Sequence, residues 1–454
     1  MRALHPALAS RIRSISTRGL IAVNVGLASG FAFVVYRNLA QPGGVIATDF
    51  TVFWSGWTLI LQGHASALYD EAAQRATQEL LMYGMHFEGG LMAFLNPPHA
   101  ALAGVPFGWL ANHVGEQRAF IVWTLGNVAL AAILVRSISN EWGATDRQQQ
   151  WMLVCAVAGF YPLFCAVKNG QPSLLLALAI LGVYRAEKAA KHWTGAAWLV
   201  VLSIKPQLVP IVAVYLASRR CWRLLACASA TLAIVAAITA VALDPAIWFQ
   251  YLRQVGSLEH FWGSGTPDYM LNVRGALSRM FGLDQRRWID AVSYAVWLLA
   301  MVVAAVVLAR RRVAHAPDAR PAYAFVIALG LFFNPHLFIH DAIIWTIPLV
   351  LYAAALRDDG SEWRPFAAFA LSWPLLFAVA GKMNIKSGHL TWVDPHTWLF
   401  IAATAIIGYR WPGDAARLPE PEILHDLQQV EARVAHHRRH ARPPQDIHIS
   451  PERA

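Results

Sequence analysis

Charged residues are scarce in this chain of 454 residues: Asp, Glu, Lys and Arg together make up 14%, against about 25% in a typical soluble domain. That deficit excludes an ordinary water-soluble globular protein. Cysteine is rarer still. Cys155, Cys165, Cys221 and Cys227 lie within or at the ends of apolar segments, and no pair has metal-ligand spacing beside a set of histidines. Neither a disulfide framework nor a zinc site is expected. Glycine-rich signatures are missing as well. There is no Walker loop, no dinucleotide-binding glycine pattern, no Gly-x-Ser-x-Gly turn and no Cys-x-x-Cys, so soluble nucleotide or acyl chemistry is not indicated. No internal repeat of the kind that marks many transporters is visible.

What is present is apolar. Hydrophobic residues make up 57% of the chain and the mean hydropathy is +0.42. Charge is gathered in short clusters between long apolar runs, the pattern of an all-α, polytopic integral membrane protein. The 19 tryptophans suit a chain that meets two water–lipid interfaces. The net charge of +10 needs no nucleic acid partner. Lys and Arg sit in loops and the tail, as topology determinants do, and membrane lipids are the partners this implies.

Basic clusters set the expected path of the chain. Arg11, Arg13 and Arg18 precede a first span, Gly19 to Leu39, so residues 1–18 are expected to be cytoplasmic. Residues 40–117 form a first outer segment. Within it, Phe53, Trp54, Trp57 and Leu61 share one side of a helix starting at Asp49, which predicts a helix lying in the membrane interface. A second helix follows Leu68-Tyr69-Asp70 and runs through Leu81. Leu95-Asn96-Pro97-Pro98-His99 breaks the chain, and Ala100 to Leu110 is too short for a span. The next span is predicted from Phe120 to Val135, ending at Arg136, with Ser137 to Gln150 polar and cytoplasmic. Trp151 to Val167 and Pro172 to Tyr184 flank Asn169-Gly170-Gln171. Trp193 to Leu216 carries Lys205-Pro206 in its middle, which predicts two shortened helices meeting at that break. Ala226 to Leu243 leads to a second outer segment, 244–287, and Trp288 to Leu308 returns to Arg310-Arg311-Arg312. Two more hairpins turn at Asn334 to Asp341 and at Lys382 to His396. About twelve spans result, with both termini inside. The membrane domain covers 19–411, and the Pro-, Arg- and His-rich tail, 412–454, is expected to be cytoplasmic and disordered.

This path collects unusual polar residues on the outer side. Asp49 is the first acidic residue in the chain. It follows a Gln-Pro-Gly-Gly turn and opens an aromatic helix, where it serves either as an N-cap or as a general base at a membrane surface. Lys205 inside an apolar run is either a phosphate-binding cation or a lysine that snorkels to the interface. His336 and His340 are four apart, but no Glu follows the first, so the zinc-protease pattern is not met. With Asp341 they are either loop polarity or donors to a sugar or phosphate. Asn169-Gly170-Gln171 reads as a helix-capping turn or as part of the same polar cluster.

The order of these pieces resembles a known family. Thr48-Asp49-Phe50 leads through Trp54, Gly63 and Leu68-Tyr69-Asp70 to Asn96-Pro97-Pro98, Asn169-Gly170-Gln171 and Ser203-Ile204-Lys205-Pro206-Gln207. Arg219-Arg220-Cys221-Trp222-Arg223 and Asn334-Pro335-His336 to His340-Asp341 close the set. This resembles the polyprenyl-phosphate-sugar-dependent glycosyltransferases of family 87, which have the GT-C membrane fold and include alpha-mannosyltransferases. The resemblance covers about Thr48 to Pro348 and places the family's outer-loop aspartate on Asp49 and its Lys-Pro on Lys205-Pro206. Where the family often has Asn-x-Ser in the second outer loop, this chain has Asn272-Val273-Arg274, and Arg274 puts a cation there.

The resemblance implies a polyprenyl-phosphate sugar donor, mannose foremost, and a lipid or glycan acceptor. It implies no cofactor and no metal. The protein is then a multi-pass protein of the cytoplasmic membrane with its site facing the periplasm or exterior. Asp49 would take the acceptor's proton. Lys205, His336, His340, Asp341, Asn169, Gln171, Arg274 and Asp70 would bind donor or acceptor. Two other classes fit the same topology: a transporter or flippase for a lipid-linked glycan, and a non-catalytic membrane assembly subunit.

Overall fold

Backbone that lies in hydrocarbon must satisfy its own hydrogen bonds, and a helix does so within one segment. The computed structural model follows that rule. It describes residues 6–41, 43–44, 48–84, 91–143, 147–256, 270–282, 286–360, 363–387 and 395–409. Those residues are helical apart from turns, short extended pieces and one isolated antiparallel bridge, Met270 to Phe338. The tail 412–454, the middle of the second outer segment and residues 388–394 of the Lys382–His396 turn lie outside the described residues.

The chain opens with α1 (Pro6–Ala40), which begins well before the expected span. The first outer segment folds as α2 (Asp49–Leu61), α3 (Glu71–Leu81) and α4 (Pro98–Val114). Then come α5 (Glu116–Trp142), α6 (Arg147–Ala158), α7 (Tyr161–Asn169), α8 (Ser173–Lys188), α9 (His192–Leu202), α10 (Val209–Ser218) and α11 (Trp222–Ala242). The second outer segment contributes α12 (Ile247–Gly256) and α13 (Val273–Phe281). It is followed by α14 (Arg286–Arg310), α15 (Arg320–Phe333), α16 (Thr346–Asp358), α17 (Arg364–Ser387) and α18 (Pro395–Tyr409). A 3-10 segment, Ile339–Trp345, runs directly into α16.

Among the described residues, five helices are long and apolar enough to cross a membrane: Arg18–Ala40, Glu116–Trp142, Trp222–Ala242, Arg287–Arg310 and Ile339–Asp358. A sixth is counted if α6 and α7, bent by 54° at their junction, are one broken span. Five shorter apolar helices accompany them: His192–Leu202, Pro206–Ser218, Arg320–Phe333, Arg364–Val379 and His396–Tyr409. The break at Lys205-Pro206 falls where expected, because proline cannot supply the amide that would continue α9. At its centre α8, α15 and α16 are buried on nearly every side. Asn24 on α1 is buried against Gly159 at the α6–α7 junction.

Two expectations change. The span starting near Phe120 does not stop at Arg136. It continues to Trp142, because Arg185 on α8 binds Glu141 at 2.8 Å and the Ser137 carbonyl at 2.7 Å, giving that polar last stretch partners. Nor does α2 lie with one face in the interface. Phe50 to Leu59 are buried on every face, enclosed by α3, α4 and the extended stretch 91–96. Gly104 on α4 permits this, since a Cβ there would sit 2.0 Å from the Trp57 indole nitrogen. The extended stretch is held by α3: Gln74 receives the Phe94 amide at 2.7 Å and Gln78 donates to the Met92 carbonyl at 2.7 Å. These bonds satisfy backbone that no helix serves and deliver Asn96 and His99 to the break at Lys205.

Candidate active site

Helix ends and helix breaks place every polar group of the site. Asp49 is the first residue of α2. The N-cap position belongs to Thr48, whose side chain makes no cap bond, so the capping reading of Asp49 is not what the structure shows. A carboxylate at this first turn is favoured by the helix dipole. Its Oδ2 accepts a hydrogen bond from Gln171 Nε2 at 2.8 Å. Gln171 is brought there by the tight turn between α7 and α8. Asn169 ends α7, and Gly170 follows with φ +72° in the left-handed region. A Cβ at Gly170 would lie 2.8 Å from Phe50 Cβ, so glycine lets the turn close on the first turn of α2.

Two residues beyond Gln171, Ser173 opens α8 and donates to Asp341 Oδ1 at 2.7 Å. Asp341 is the buried partner of Lys205, whose Nζ reaches Oδ1 at 2.6 Å and Oδ2 at 2.7 Å. Only 11% of the Lys205 side chain and 2% of the Asp341 side chain are exposed, so this is an ion pair removed from water. The third ammonium proton faces His340 Nε2 at a long 3.4 Å. His340 also stands within electrostatic reach of Asp49. Lys205 therefore does not snorkel into solvent; it is bound inward.

The turn that presents Lys205 is held from the first outer segment. Asn96 Nδ2 donates to the Ile204 carbonyl at 3.3 Å, and His99 Nε2 pairs with Ser203 Oγ at 3.0 Å. The Ser203 hydroxyl gives its proton to the Val200 carbonyl at 2.6 Å, so it accepts from His99, and His99 carries its proton on Nε2.

On the other side, the second outer segment holds residues 334–338. Asn272 caps α13 by accepting the Gly275 amide at 2.9 Å and donates to the Asn334 carbonyl. Arg274, with 1% of its side chain exposed, is paired with Asp290 and donates to the Pro335 carbonyl at 3.4 Å. As placed, Arg274 holds this segment and its charge is balanced by Asp290. His336 stacks edge-on against Phe338, which in turn stacks on His340. Desolvation, helped by nearby Arg274 and Lys205, pushes the His336 pKa down to about 3, so the ring is neutral at physiological pH.

Asp49, Asn169, Gln171, Lys205, His340 and Asp341 are thus brought to one set of helix ends, with His336 and Arg274 on the adjoining segment. Asp70 is not part of it. It is exposed, and its carboxylate caps α3 by accepting the Ala73 amide at 2.8 Å. Ser173, Asp290 and the grip of His99 on Ser203 were not anticipated. A serine at the start of a helix and an acid one helix away carry no pattern that singles them out. Among the described residues no group of three or more His, Cys, Asp or Glu side chains is arranged to hold a metal ion.

The groups converge at one end of α8, which starts at Ser173 and carries Arg185 and Lys188 in its last turn, about 18–23 Å away at 1.5 Å per residue. Fold and site together define a helical, multi-pass membrane protein with ionisable groups gathered at helix breaks opposite its basic loops. The family model described as Glycosyltransferase family 87 matches residues 94–338, more than half of the chain, and the chain belongs to that family. The match includes Lys205, Arg274 and His336, and starts beyond Asp49. The chain is also similar to a polyprenol-phosphate-mannose-dependent alpha-(1-2)-phosphatidylinositol mannoside mannosyltransferase of Mycolicibacterium smegmatis (strain ATCC 700084 / mc(2)155). The two are 26% identical over 366 residues, covering 73% of this chain and 77% of that protein. No solved structure matches.

Proposed function

We propose that this glycosyltransferase moves a hexose, mannose foremost, from a polyprenyl-phosphate donor to a lipid or glycan acceptor at the outer face of the membrane. The donor reading is supported by the polyprenol-phosphate-mannose dependence named for the similar protein. The outer face is supported by the separation of the polar cluster from Arg185, Lys188 and Arg310 to Arg312, which the positive-inside rule keeps cytoplasmic. About twelve spans follow if the bent α6–α7 pair, α8 and the five shorter apolar helices also cross, each half of the broken α9–α10 region counting as one.

The observation that carries the chemistry is the contrast among three carboxylates. Asp341 is closed off by Lys205 and Ser173, and Asp70 is a helix cap. Among the described residues Asp49 is half-buried and held through one oxygen by one neutral donor, Gln171, which leaves the other oxygen to take a proton. In a single displacement, the acceptor oxygen bonds to the anomeric carbon as its proton passes to Asp49. The bond from that carbon to the phosphate oxygen breaks, and the electron pair leaves on the phosphate. Lys205 then meets the growing negative charge. Asp341 holds the ammonium in place through both carboxylate oxygens, and the lysine's long contact with His340 is readily exchanged for a phosphate oxygen. Charge compensation by this lysine is the basis for a metal-independent reaction.

The test is purified protein in lipid nanodiscs with radiolabelled polyprenyl-phosphate mannose and a lipid-extract acceptor. Transfer of label to acceptor is the expected result. Movement of intact donor across vesicles without its consumption would instead establish the flippase, and inertness in both assays the assembly subunit.

A further inference from the structure

Helix α12 has two faces of different character. Ile247, Tyr251 and Gln254 are buried, while Phe249, Leu252 and Arg253 are exposed, Phe249 at 71% and Leu252 at 64%. Each set follows the i, i+3, i+4 spacing of one helix side. The buried face belongs to the same core as Phe50 and Trp54 of α2: Tyr251 packs on Tyr69 at 5.5 Å and Trp248 stacks on His99 at 5.9 Å. The position of α12 relative to α11 is the decisive fact. The chain turns sharply at Asp244, which accepts the Ala246 amide at 2.6 Å, and Trp248 Nε1 donates to the Ala236 carbonyl at 3.0 Å. Ala236 lies six residues before the end of α11, or about 9 Å along its axis at 1.5 Å per residue. α11 is one of the helices able to span the membrane, and its exposed apolar side, Ile234, Ile238 and Val241, reaches this level.

We infer that α12 is an interfacial helix seated in the lipid leaflet on the Asp49 side of the protein, with Phe249 and Leu252 among the acyl chains and Arg253 at the headgroup phosphates. The occupant of this face is bilayer lipid, because the lipid that covers α11 continues at the depth where Trp248 is pinned. Such helices sit about 5–10 Å into the headgroup–acyl boundary, and the indole bond ties α12 at a comparable distance, about 9 Å, from the end of α11. α12 thereby becomes the lipid-side wall of the outer core, with leaflet on one face and the Tyr69 and His99 contacts on the other. The inference rests on the membrane character of α11 and not on the sugar-transfer chemistry, so either can fail alone.

Spin labels at Phe249→Cys and, separately, Leu252→Cys test it in the full-length protein in nanodiscs. Cys155, Cys165, Cys221 and Cys227 are replaced by Ala, and folding of each variant is checked by its thermal transition. Power saturation against oxygen and against a water-soluble nickel chelate reads the surroundings. Higher oxygen than nickel accessibility at both positions is expected, by several-fold. Nickel accessibility exceeding oxygen would place the face in water, and an immobilised label reached by neither would place a protein partner on it; either overturns the inference.

Discussion

Two acidic groups of the site lie a few side chains apart and are treated in opposite ways. Asp341 is almost wholly buried and bonded to Lys205 and Ser173. Asp49 is half-buried and, among the described residues, bonded to a single neutral amide. A carboxylate whose two oxygens are taken by a cation and a hydroxyl offers little room to an incoming hydroxyl. One held through a single oxygen at a partly open surface leaves the other within reach of it. The first arrangement fixes a charge in place, and the second leaves a group able to change its protonation during a reaction.

The largest expected effect comes from removing the proton acceptor. Asp49→Asn keeps shape and leaves the fold intact, since the Asp49 side chain does not cap α2. Transfer should fall by about 10²–10⁴-fold, the usual worth of a positioned general base, with donor binding retained in a filter assay. Near-normal turnover in the folded variant would erase the distinction drawn between the two carboxylates.

The buried pair predicts a loss of a different kind. Asp341→Ala strands the Lys205 ammonium, and removing one partner of a buried pair typically costs about 3–5 kcal/mol. The thermal transition in detergent should drop accordingly. The double variant Lys205→Met with Asp341→Leu removes both charges and should recover most of that stability, yet still fail to turn over donor. Recovery of transfer in the double variant would show that Lys205 is structural only.

Gln171→Leu sharpens the comparison with a smaller effect. It removes the Gln171 hydrogen bond that orients Asp49, worth about 1.5–3 kcal/mol when a charged group is involved. Transfer should drop by roughly ten- to a hundredfold by that relation, mostly in kcat, with little change in the thermal transition. Loss of folding without loss of specific activity would reassign Gln171 to the α7–α8 turn.

The effect that is smallest at neutral pH, and grows only in acid, belongs to His336. Its pKa in the folded protein, about 3, lies below the ordinary value of 6.5, so the unfolded chain binds the additional proton first as pH falls. The stability tied to neutral His336 is complete above about pH 6.5 and is lost progressively as pH falls toward 3. The thermal transition should decline over that window, and less steeply in His336→Asn. Equal slopes in both proteins would mean that the ring is not desolvated.

Much of this was legible in the chain before its structure. Uncharged runs specified membrane helices, and Lys205-Pro206 specified a break, because no amide is available there to continue α9. Asp49 stood out as an isolated acid after a long apolar stretch. Legibility stopped where a property depended on neighbours distant in sequence. The sequence leaves Asp49 open as a helix cap or a general base; Thr48 takes the cap position, and Gln171, 122 residues away, lies on the carboxylate. It leaves Lys205 open as a phosphate-binding cation or a snorkelling lysine; Asp341, 136 residues away, binds its ammonium inward. Arg274 reads in the sequence as a cation of the second outer loop, and only the structure puts Asp290 on its guanidinium; α2 reads as interfacial, and the structure encloses it in α3, α4 and residues 91–96.

By itself, then, the sequence determined the class of protein, the places where helices must break and the residue types available at those breaks, because hydropathy and proline chemistry act over a few turns of chain. Only the tertiary structure decided which break faces which, and so which charge is held and which is left able to react. Those pairings depend on close approaches such as that of Gly170 to Phe50, and no local pattern encodes a contact between helix ends more than a hundred residues apart.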